Sequence, residues 1–287
     1  PNRPPGQSQA AATEIVSVDA LALVRFGLRA PDDPHIVNTV KVIDRLLKVD
    51  LPQGPGFRRY NQDGYGEHAD GSPFDGTGIG RVWPLLAAER AHFELAAGRP
   101  ETATALAKTV ELSANDGGML PEQTWDGPDL PDRELWTGRP SGSAMPLVWA
   151  HAEYLKLKRS LLEGRVFDMP PQPVHRYQRD RIVFPYSIWR FNHKCRTMPE
   201  GAVLRVELQA PAVVRWSSDA WENDLDVSTS DTGLGIHHAD LDTAGLPATS
   251  NITFTFRWTD ENRWEGFDFS VDVVAPGTRQ DGITRTD

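Results

Sequence analysis

The stretch IGRVWPLLAAERAHFELAA, residues 79–97, decides how the first half of the chain folds. Its apolar side chains recur three and four positions apart, which is the spacing of one face of an amphipathic helix. Gly98 follows directly and predicts the end of that helix. The predicted shared face consists of Val82, Leu85, Leu86, Glu89 and Phe93.

Helical spacing continues on both sides of this stretch. It predicts helices over residues 18–28, 34–47, 100–113 and 143–162, the second with Ile36, Val40, Ile43 and Leu47 along one stripe. Two long loops, residues 51–78 and 115–140, lie between the helices and are rich in Gly, Pro, aromatic and charged residues. Loops of this length inside a compact domain are uncommon and are usually functional or disordered. Helices joined by such loops are typical of an α/α barrel, and five helices do not close one.

The apolar period changes from helical to two beyond residue 173. Every second residue is apolar at 204–208, 252–258 and 267–273. Such strands, separated by turn-rich stretches, predict a small antiparallel β-sandwich. The Pro-rich run Met169-Pro170-Pro171-Gln172-Pro173 indicates a linker. The sequence therefore predicts a mixed fold, all-α and then all-β, with part of a barrel at 1–165, a linker at 166–173 and a β-sandwich accessory domain at 174–287.

The composition indicates a globular chain without affinity for polyanions. Its 287 residues are 39% hydrophobic and 24% charged, which fits a folded protein. The net charge of −10 disfavours nucleic acid and anionic membranes, and no apolar run reaches the roughly 18 residues of a membrane span. The single Cys195 excludes a disulfide framework and a Cys-rich metal site within the chain. Residues 1–12 show no secretory leader, which leaves the compartment open, with a secreted or periplasmic bacterial location favoured over a cytoplasmic one.

Two loops hold the candidate functional residues. Glu122 lies beside Trp125 in loop 115–140, where a constrained and partly desolvated carboxylate would suit acid–base chemistry. On local sequence alone, an ordinary solvated glutamate is the better interpretation. Residues 58–67 combine Arg, Asp and Tyr, which can hydrogen-bond to a sugar and stack on it, although a polar surface loop fits equally well. Trp83, taken singly, is better explained as a core anchor.

Three segments occur in a fixed order along the chain. They are the run from Arg59-Tyr60-Asn61-Gln62-Asp63 to Gly80-Arg81-Val82-Trp83-Pro84, then Leu120-Pro121-Glu122-Gln123-Thr124-Trp125-Asp126, then Ser141-Gly142-Ser143-Ala144-Met145-Pro146-Leu147-Val148-Trp149. In this order and spacing they resemble glycoside hydrolase family 15, particularly its bacterial glucoamylase and glucodextranase branch. The resemblance covers roughly residues 15–162. The β-domain is similar, with less specificity, to the accessory domains of that branch.

The resemblance implies a role for each matching position. It implies that Glu122 is the general base of an inverting hydrolysis and that Ser143 supports this base by a hydrogen bond. Arg59 would contact the glucose at the cleavage site. The further positions that match the pocket are Tyr60, Asp63, Trp83 and Trp125.

The resemblance also implies a fold and a reaction. These are an (α/α)6 barrel and the hydrolysis of α-1,4-linked glucan from the non-reducing end, with release of β-glucose. The motifs do not separate this reaction from hydrolysis of α-1,6-glucan (dextran) or trehalose. A non-catalytic carbohydrate-binding fragment is the alternative from another class. No cofactor is required; a calcium ion is compatible with such enzymes, but His237-His238 near Asp240 and Asp242 matches no common metal site.

The general acid of the family has no counterpart in this sequence. In the family it precedes the base by well over a hundred residues, which from Glu122 runs off the start of the chain. Glu67, Glu89 and Glu134 do not match the motif of the acid. The expected partners are therefore an α-glucan or α-glucoside substrate and an N-terminal barrel half, in the same polypeptide or in a companion chain. Without that half, the helices would expose apolar faces.

Overall fold

The chain divides into two compact units. A computed structural model describes residues 6, 9–182 and 184–276, and it separates Pro1–Ile182 from Val183–Asp287. The first unit contains the helices, and every regular element in the described part of the second unit is a strand. The predicted combination of helices followed by strands is therefore confirmed.

The division between the units falls later in the chain than the sequence predicts. Val166 belongs to the hydrophobic core of the first unit, and Asp168 pairs with Arg25 of that unit at 2.7 Å. The Gln178 side chain donates to the Gly27 carbonyl, also in the first unit, at 2.9 Å. The predicted linker 166–173 is thus packed against the helices.

One central helix organises the helical unit. The unit contains α1 Ala22–Arg25, α2 Pro34–Leu46, the hairpin of β1 Lys48–Leu51 and β2 Gly54–Phe57, then α3 Pro84–Ala96, α4 Pro100–Leu112, α5 Val148–Glu163 and α6 Pro171–Pro173. Shorter turns are the 3-10 helices Ala12–Glu14, Val18–Leu21 and Pro131–Arg133 and the π-helical turn Val174–Arg179. Helix α3 is buried along most of its length because it packs against both α4 and α5.

Two of the predicted helices are confirmed almost to the residue. Helix α2 begins at Pro34 because the Asp33 carboxylate accepts from the His35 N–H at 2.8 Å, an N-cap that precedes a proline at the first helical position. Helix α4 likewise begins at Pro100. Both start signals are local in sequence, which is why the pattern alone locates them.

The predicted starts of α3 and α5 are wrong by five residues each. Residues 79–83 are extended, because Trp83 precedes Pro84 and Val82 forms a bridge with Thr124. Residues 143–147 are held in a loop by backbone hydrogen bonds to residues 120–123, so Ser143 is not helical. The predicted helix 18–28 is also shorter, consisting of one 3-10 turn and α1.

The second unit consists of two sheets that share one hydrophobic cluster. Its strands are β3 Tyr186–Trp189, β4 Thr197–Pro199, β5 Val203–Leu208, β6 Ala212–Ser217, β7 Leu225–Ser228, β8 Ser230–Asp231, β9 His237–Leu241, β10 Asn251–Trp258, β11 Arg263–Trp264 and β12 Phe269–Val274. One sheet has the order β3-β5-β9-β8, and the other has β4-β12-β10-β6-β7 with β11 added to β10. Alternate residues of both sheets, from Leu204 and Val206 to Phe254 and Phe256, are buried in the shared cluster.

Two details of the predicted β-domain are wrong. The β3–β5 and β4–β12 pairs are parallel, whereas the sequence predicts antiparallel strands throughout. Phe267 precedes its strand and is 71% exposed, although the alternation includes it among the core residues. Among the described residues, no helix has the length and apolarity that a membrane span needs.

Candidate active site

The segment that carries Glu122 is fixed through its backbone. Thr124 forms bridges with Val82 on one side and with Pro140 on the other. The Glu122 N–H donates to the Ala144 carbonyl at 2.8 Å. Two segments that are distant in sequence, at Val82 and at residues 140–144, thus hold the backbone that carries Glu122 in one position.

The next residues of this segment close a loop. The Trp125 N–H donates to the Arg139 carbonyl at 2.9 Å, and the Gly138 N–H donates to the Trp125 carbonyl at 2.8 Å. Residues 126–138 therefore form a loop whose two ends are joined at Trp125. Because the loop is closed at Trp125, the position of Glu122 does not depend on the conformation of residues 126–138.

The Glu122 carboxylate is half-buried and accepts one hydrogen bond from a side chain. The donor is the Tyr65 hydroxyl, 3.3 Å from Glu122 Oε2. Burial raises the pKa of Tyr65, and the neighbouring Glu122 carboxylate raises it further. Tyr65 is therefore protonated at neutral pH and acts as the donor. Tyr65 lies in loop 58–67, and the family motifs imply no role for it. Its position two residues after Asp63 is the one signal in the sequence for this contact.

Ser143 contacts the backbone next to Glu122. Its Oγ accepts from the Gln123 N–H at 2.8 Å and lies 3.0 Å from the Ser141 hydroxyl. The hydrogen bond to the base carboxylate that the resemblance implies is not among its contacts in this structure. Ser143 therefore supports the segment, while Tyr65 contacts the carboxylate.

Arg59, Asp63 and Trp83 form one cluster. Arg59 makes two hydrogen bonds of 2.8 Å to the Asp63 carboxylate, whose side chain is almost fully buried. The guanidinium carbon lies 4.8 Å from the centre of the Trp83 ring, 5.0 Å from that of Tyr65 and 5.5 Å from that of Tyr60. Burial would lower the pKa of Arg59, but the Asp63 carboxylate outweighs it and raises that pKa. Arg59 is thus a fixed cation with part of its fork facing outward.

Trp125 is a packing residue and not part of a pocket wall. Its side chain is fully buried, and its Nε1 donates to the Pro128 carbonyl at 2.8 Å. The Arg81 guanidinium carbon lies 4.0 Å from its ring centre. The proposed pocket role of Trp125 is therefore corrected: the residue anchors Arg81 instead.

Arg81 in turn joins three loops. It donates to the Asp126 carboxylate at 3.0 Å and to the Glu67 and His68 carbonyls at 2.7 and 2.8 Å. Arg58 donates to the same Asp126 carboxylate at 2.8 Å. Because Asp126 is fully enclosed by these partners, the loop 58–68 and the Glu122 segment are tied to one buried ion cluster.

A cavity of about 520 Å³ lies beside Glu122. Tyr65, Glu67, Phe74, Arg133 and Ser143 are among the residues that line it. Phe74 packs edge-on against Tyr65, with 5.0 Å between the ring centres. The structure thus places Glu67, which no family motif assigns, on the wall of the same cavity.

The cavity chemistry suits a polyhydroxylated ligand. Carboxylates and an arginine can hydrogen-bond with hydroxyl groups, and aromatic rings can pack on the faces of a sugar ring. Within the described residues, no group of three or more His, Cys, Asp or Glu side chains could hold a metal ion.

Tyr65 links the cavity to the Arg59 cluster, because it lines the cavity and contacts both Glu122 and Arg59. Arg59, Asp63 and Trp83 are not among the described residues that line the cavity.

The chain belongs to glycosyl hydrolases family 15, whose family model matches residues 6–159. It is 48% identical over 164 residues to a glucoamylase from Clostridium sp. (strain G0005). The matched region covers 57% of this chain and 22% of that protein. The resemblance inferred from the three sequence segments is thereby confirmed.

Two further similarities cover smaller shares of their counterparts. A crystal structure of a bacterial glucoamylase complexed with acarbose matches with 48% identity and a TM-score of 0.52, over 57% of this chain and 23% of that one. A cycloisomaltooligosaccharide glucanotransferase from Niallia circulans is 25% identical over 97 residues, 10% of its length. The chain thus spans about a fifth of the length of the glucoamylases it matches.

Proposed function

We propose that this chain supplies the general base of an inverting, exo-acting α-glucan hydrolase and that Glu122 is that base. The observation that carries the proposal is the fixed position of Glu122 on the cavity, with its backbone pinned and its carboxylate in contact with Tyr65. The similarity to two glucoamylases supports an α-1,4-linked glucan as substrate and β-glucose as product.

The inverting reaction needs a base with this kind of environment. An acid protonates the glycosidic oxygen while the base removes a proton from water on the opposite face of the sugar ring. Glu122 has one oxygen occupied by Tyr65 and is half-buried, so the other oxygen can orient a water molecule. Fixed geometry of the base matters, because misplacement of a reacting group by about 1 Å can reduce the rate about a hundredfold.

Arg59 would bind the glucose at the cleavage site. Two of its donors are used by Asp63, which leaves other N–H groups of the guanidinium for sugar hydroxyls. Trp83 and Tyr65 pack against the guanidinium and limit its movement. The three residues therefore act as a pre-organised binding group, which reduces the entropy lost on binding.

We infer as well that other barrel helices cover α5. Val148, Leu155 and Leu162 are 77%, 67% and 84% exposed and lie seven residues apart, on one side of that helix. An apolar stripe of this kind favours a covering partner. The helical unit would then be part of an (α/α)6 barrel, completed within a longer polypeptide or by a companion chain, and the β-unit would be a β-sandwich.

Replacing Glu122 by Gln in the complete enzyme tests the role of the base. General-base catalysis contributes about 10²- to 10⁴-fold, so we expect Glu122→Gln to lower kcat by that factor with little change in substrate binding. Glu134→Gln, a change at an exposed glutamate of the neighbouring loop, is the matched control. Near-normal turnover of the Glu122 variant would contradict the assignment of Glu122 as the general base.

The substrate and the stereochemistry are tested with the same protein. Maltose, isomaltose and trehalose separate α-1,4 hydrolysis from α-1,6 and trehalose hydrolysis. The similarity to a protein named for isomalto-oligosaccharides makes the isomaltose comparison necessary. NMR of the first product distinguishes β-glucose, which inversion requires, from α-glucose. Binding without hydrolysis of any of the three would favour the non-catalytic carbohydrate-binding alternative.

A further inference from the structure

Glu67 has a buried carboxylate oxygen that is not paired with another protein group. The residue is 7% exposed, and within the described part of the chain its Oε2 atom is buried and makes no hydrogen bond. Most buried side-chain oxygens are hydrogen-bonded, and a buried carboxylate without a donor is costly. The donor for this oxygen is therefore not a protein group of that part of the chain.

Close packing on two sides holds Glu67 in this position. Its carbonyl accepts a hydrogen bond of 2.7 Å from the buried Arg81 guanidinium. The backbone before it is packed so tightly that a Cβ added at Gly66 would lie 2.3 Å from the Ile79 carbonyl oxygen. On the other side, a Cβ added at Gly142 would lie 2.9 Å from Glu67 Oε1. The carboxylate is thus confined between two loops.

The confined carboxylate lies on the wall of the cavity that Glu122 also lines. The cavity volume of about 520 Å³ falls within the range of roughly 300–1,000 Å³ that is usual for small-molecule sites. It also far exceeds the share of one water molecule, about 30 Å³. Phe74 on the same wall is 37% exposed, so part of its ring is open to the cavity. The space therefore suits an organic ligand with a ring.

A hydroxyl group is the ligand group that matches the Glu67 carboxyl best. It donates to an ionised carboxylate and accepts from a protonated one, so it pairs with Glu67 in either state. Among the described residues that line the cavity, the charged ones are Glu67, Glu122 and Arg133. Two carboxylates against one guanidinium disfavour an anionic ligand. A neutral ring that carries hydroxyl groups fits both the charges and the aromatic wall.

We propose that Glu67 binds one hydroxyl group of the sugar in this cavity and thereby selects ligands that carry it. The choice of an α-glucoside as ligand rests on the proposed function, whereas the binding group itself rests on the buried oxygen. Arg59 does not line the cavity, so Glu67 recognises the ligand independently of the Arg59 cluster. A site built around such a pairing rejects an analogue without the hydroxyl, because the buried polar group then stays unpaired.

A set of monodeoxy maltoses, each lacking one hydroxyl group, tests this pairing. Their binding to the complete enzyme is measured by isothermal titration calorimetry, with Glu122→Gln present throughout to suppress turnover. We expect Glu67→Met, which keeps the length of the side chain and removes the carboxylate, to raise the Kd of maltose about tenfold or more. The derivative that lacks the paired hydroxyl should bind this variant at least as well as it binds the protein with Glu67. Glu67→Gln keeps an acceptor and should give an intermediate Kd for maltose.

A purely structural role of Glu67 would give a different result. Because its Oε2 atom makes no hydrogen bond within the described part of the chain, Glu67→Met should leave Tm unchanged or raise it. Glu101→Gln, at an exposed glutamate in the first turn of α4, is the matched control and should change neither Tm nor Kd. An unchanged Kd for maltose in Glu67→Met would overturn the proposal. Equal weakening of maltose and of every deoxy derivative would overturn it as well.

Failure of this proposal and failure of the proposed function are distinguishable. If Glu67 does not bind a hydroxyl group, its replacement leaves the discrimination among the deoxy derivatives unchanged, while Glu122→Gln still lowers turnover in the complete enzyme. If Glu122 is not the base, the Glu122→Gln protein hydrolyses maltose. The pairing of Glu67 with one hydroxyl is then measured from kcat/KM for the same derivatives, with the same expected pattern.

Discussion

Asp126→Asn should destabilise the helical unit strongly. The Asp126 side chain is wholly buried between Arg58 and Arg81, and Arg81 is itself 4% exposed. Removing one partner of a buried ion pair costs about 3–5 kcal/mol, because the other charge stays buried without compensation. Arg58 can reach water, since its side chain is 36% exposed, and Arg81 keeps its bonds to two carbonyls. The loss should therefore lie near the lower limit, at about 3 kcal/mol.

This loss can be measured by thermal and urea unfolding. For a unit of this size, 1 kcal/mol corresponds to about 2–4 °C in Tm, so the variant should unfold about 6–12 °C lower. Asp116→Asn is the matched control, because Asp116 pairs with Arg139 on the surface and its loss should cost less than about 1 kcal/mol. A Tm for Asp126→Asn within the error of the control would refute the idea that the buried cluster holds these loops together.

Two further changes address the site and its surroundings. Gly80→Ala puts a Cβ 2.5 Å from the Asp63 side chain, so Asp63 must move and release its partner Arg59. We expect at least about tenfold weaker maltose binding. Gly117→Ala is the control and should leave maltose binding unchanged, because the Cβ added there lies 3.4 Å from its nearest neighbouring atom. Burial, helped by the charge of Glu153, raises the pKa of Glu89 to about 7, so the native state loses stability as the pH rises from about 4.5 to about 7. Glu89→Gln should therefore raise the urea midpoint at pH 8 and leave it nearly unchanged at pH 4, and an equal change at both values would contradict the burial argument.

The helices that sequence predicts well are those with local start signals. Asp33 followed by Pro34 and the proline at position 100 fix α2 and α4 without help from distant residues. The stretch before Pro84 has helical spacing, yet it is extended because Val82 pairs with Thr124, more than forty residues away. Such a long-range pairing overrides the local preference for a helix, and the spacing of apolar residues does not predict it.

The same distinction, between local signals and long-range contacts, applies to the candidate active site. The family motifs single out Glu122, Arg59 and Asp63 because each motif is a local pattern, and in the structure all three contact Tyr65. The partner of the Glu122 carboxylate and the burial of Trp125 depend on how separate loops fold onto one another. In the β-unit, the alternation locates β5, β10 and β12, but strand direction depends on connections that the alternation does not describe.

The closed loop that begins and ends at Trp125 has a consequence for sequence divergence. Because the two backbone bonds at its base are independent of its tip, residues can be inserted or exchanged near Asp132 without displacing Glu122. The tip carries Arg133 and Leu135 onto the cavity wall, so its length would alter which ligands enter. This loop is therefore a position where ligand preference could change, in evolution or by design, while the backbone around Glu122 is kept.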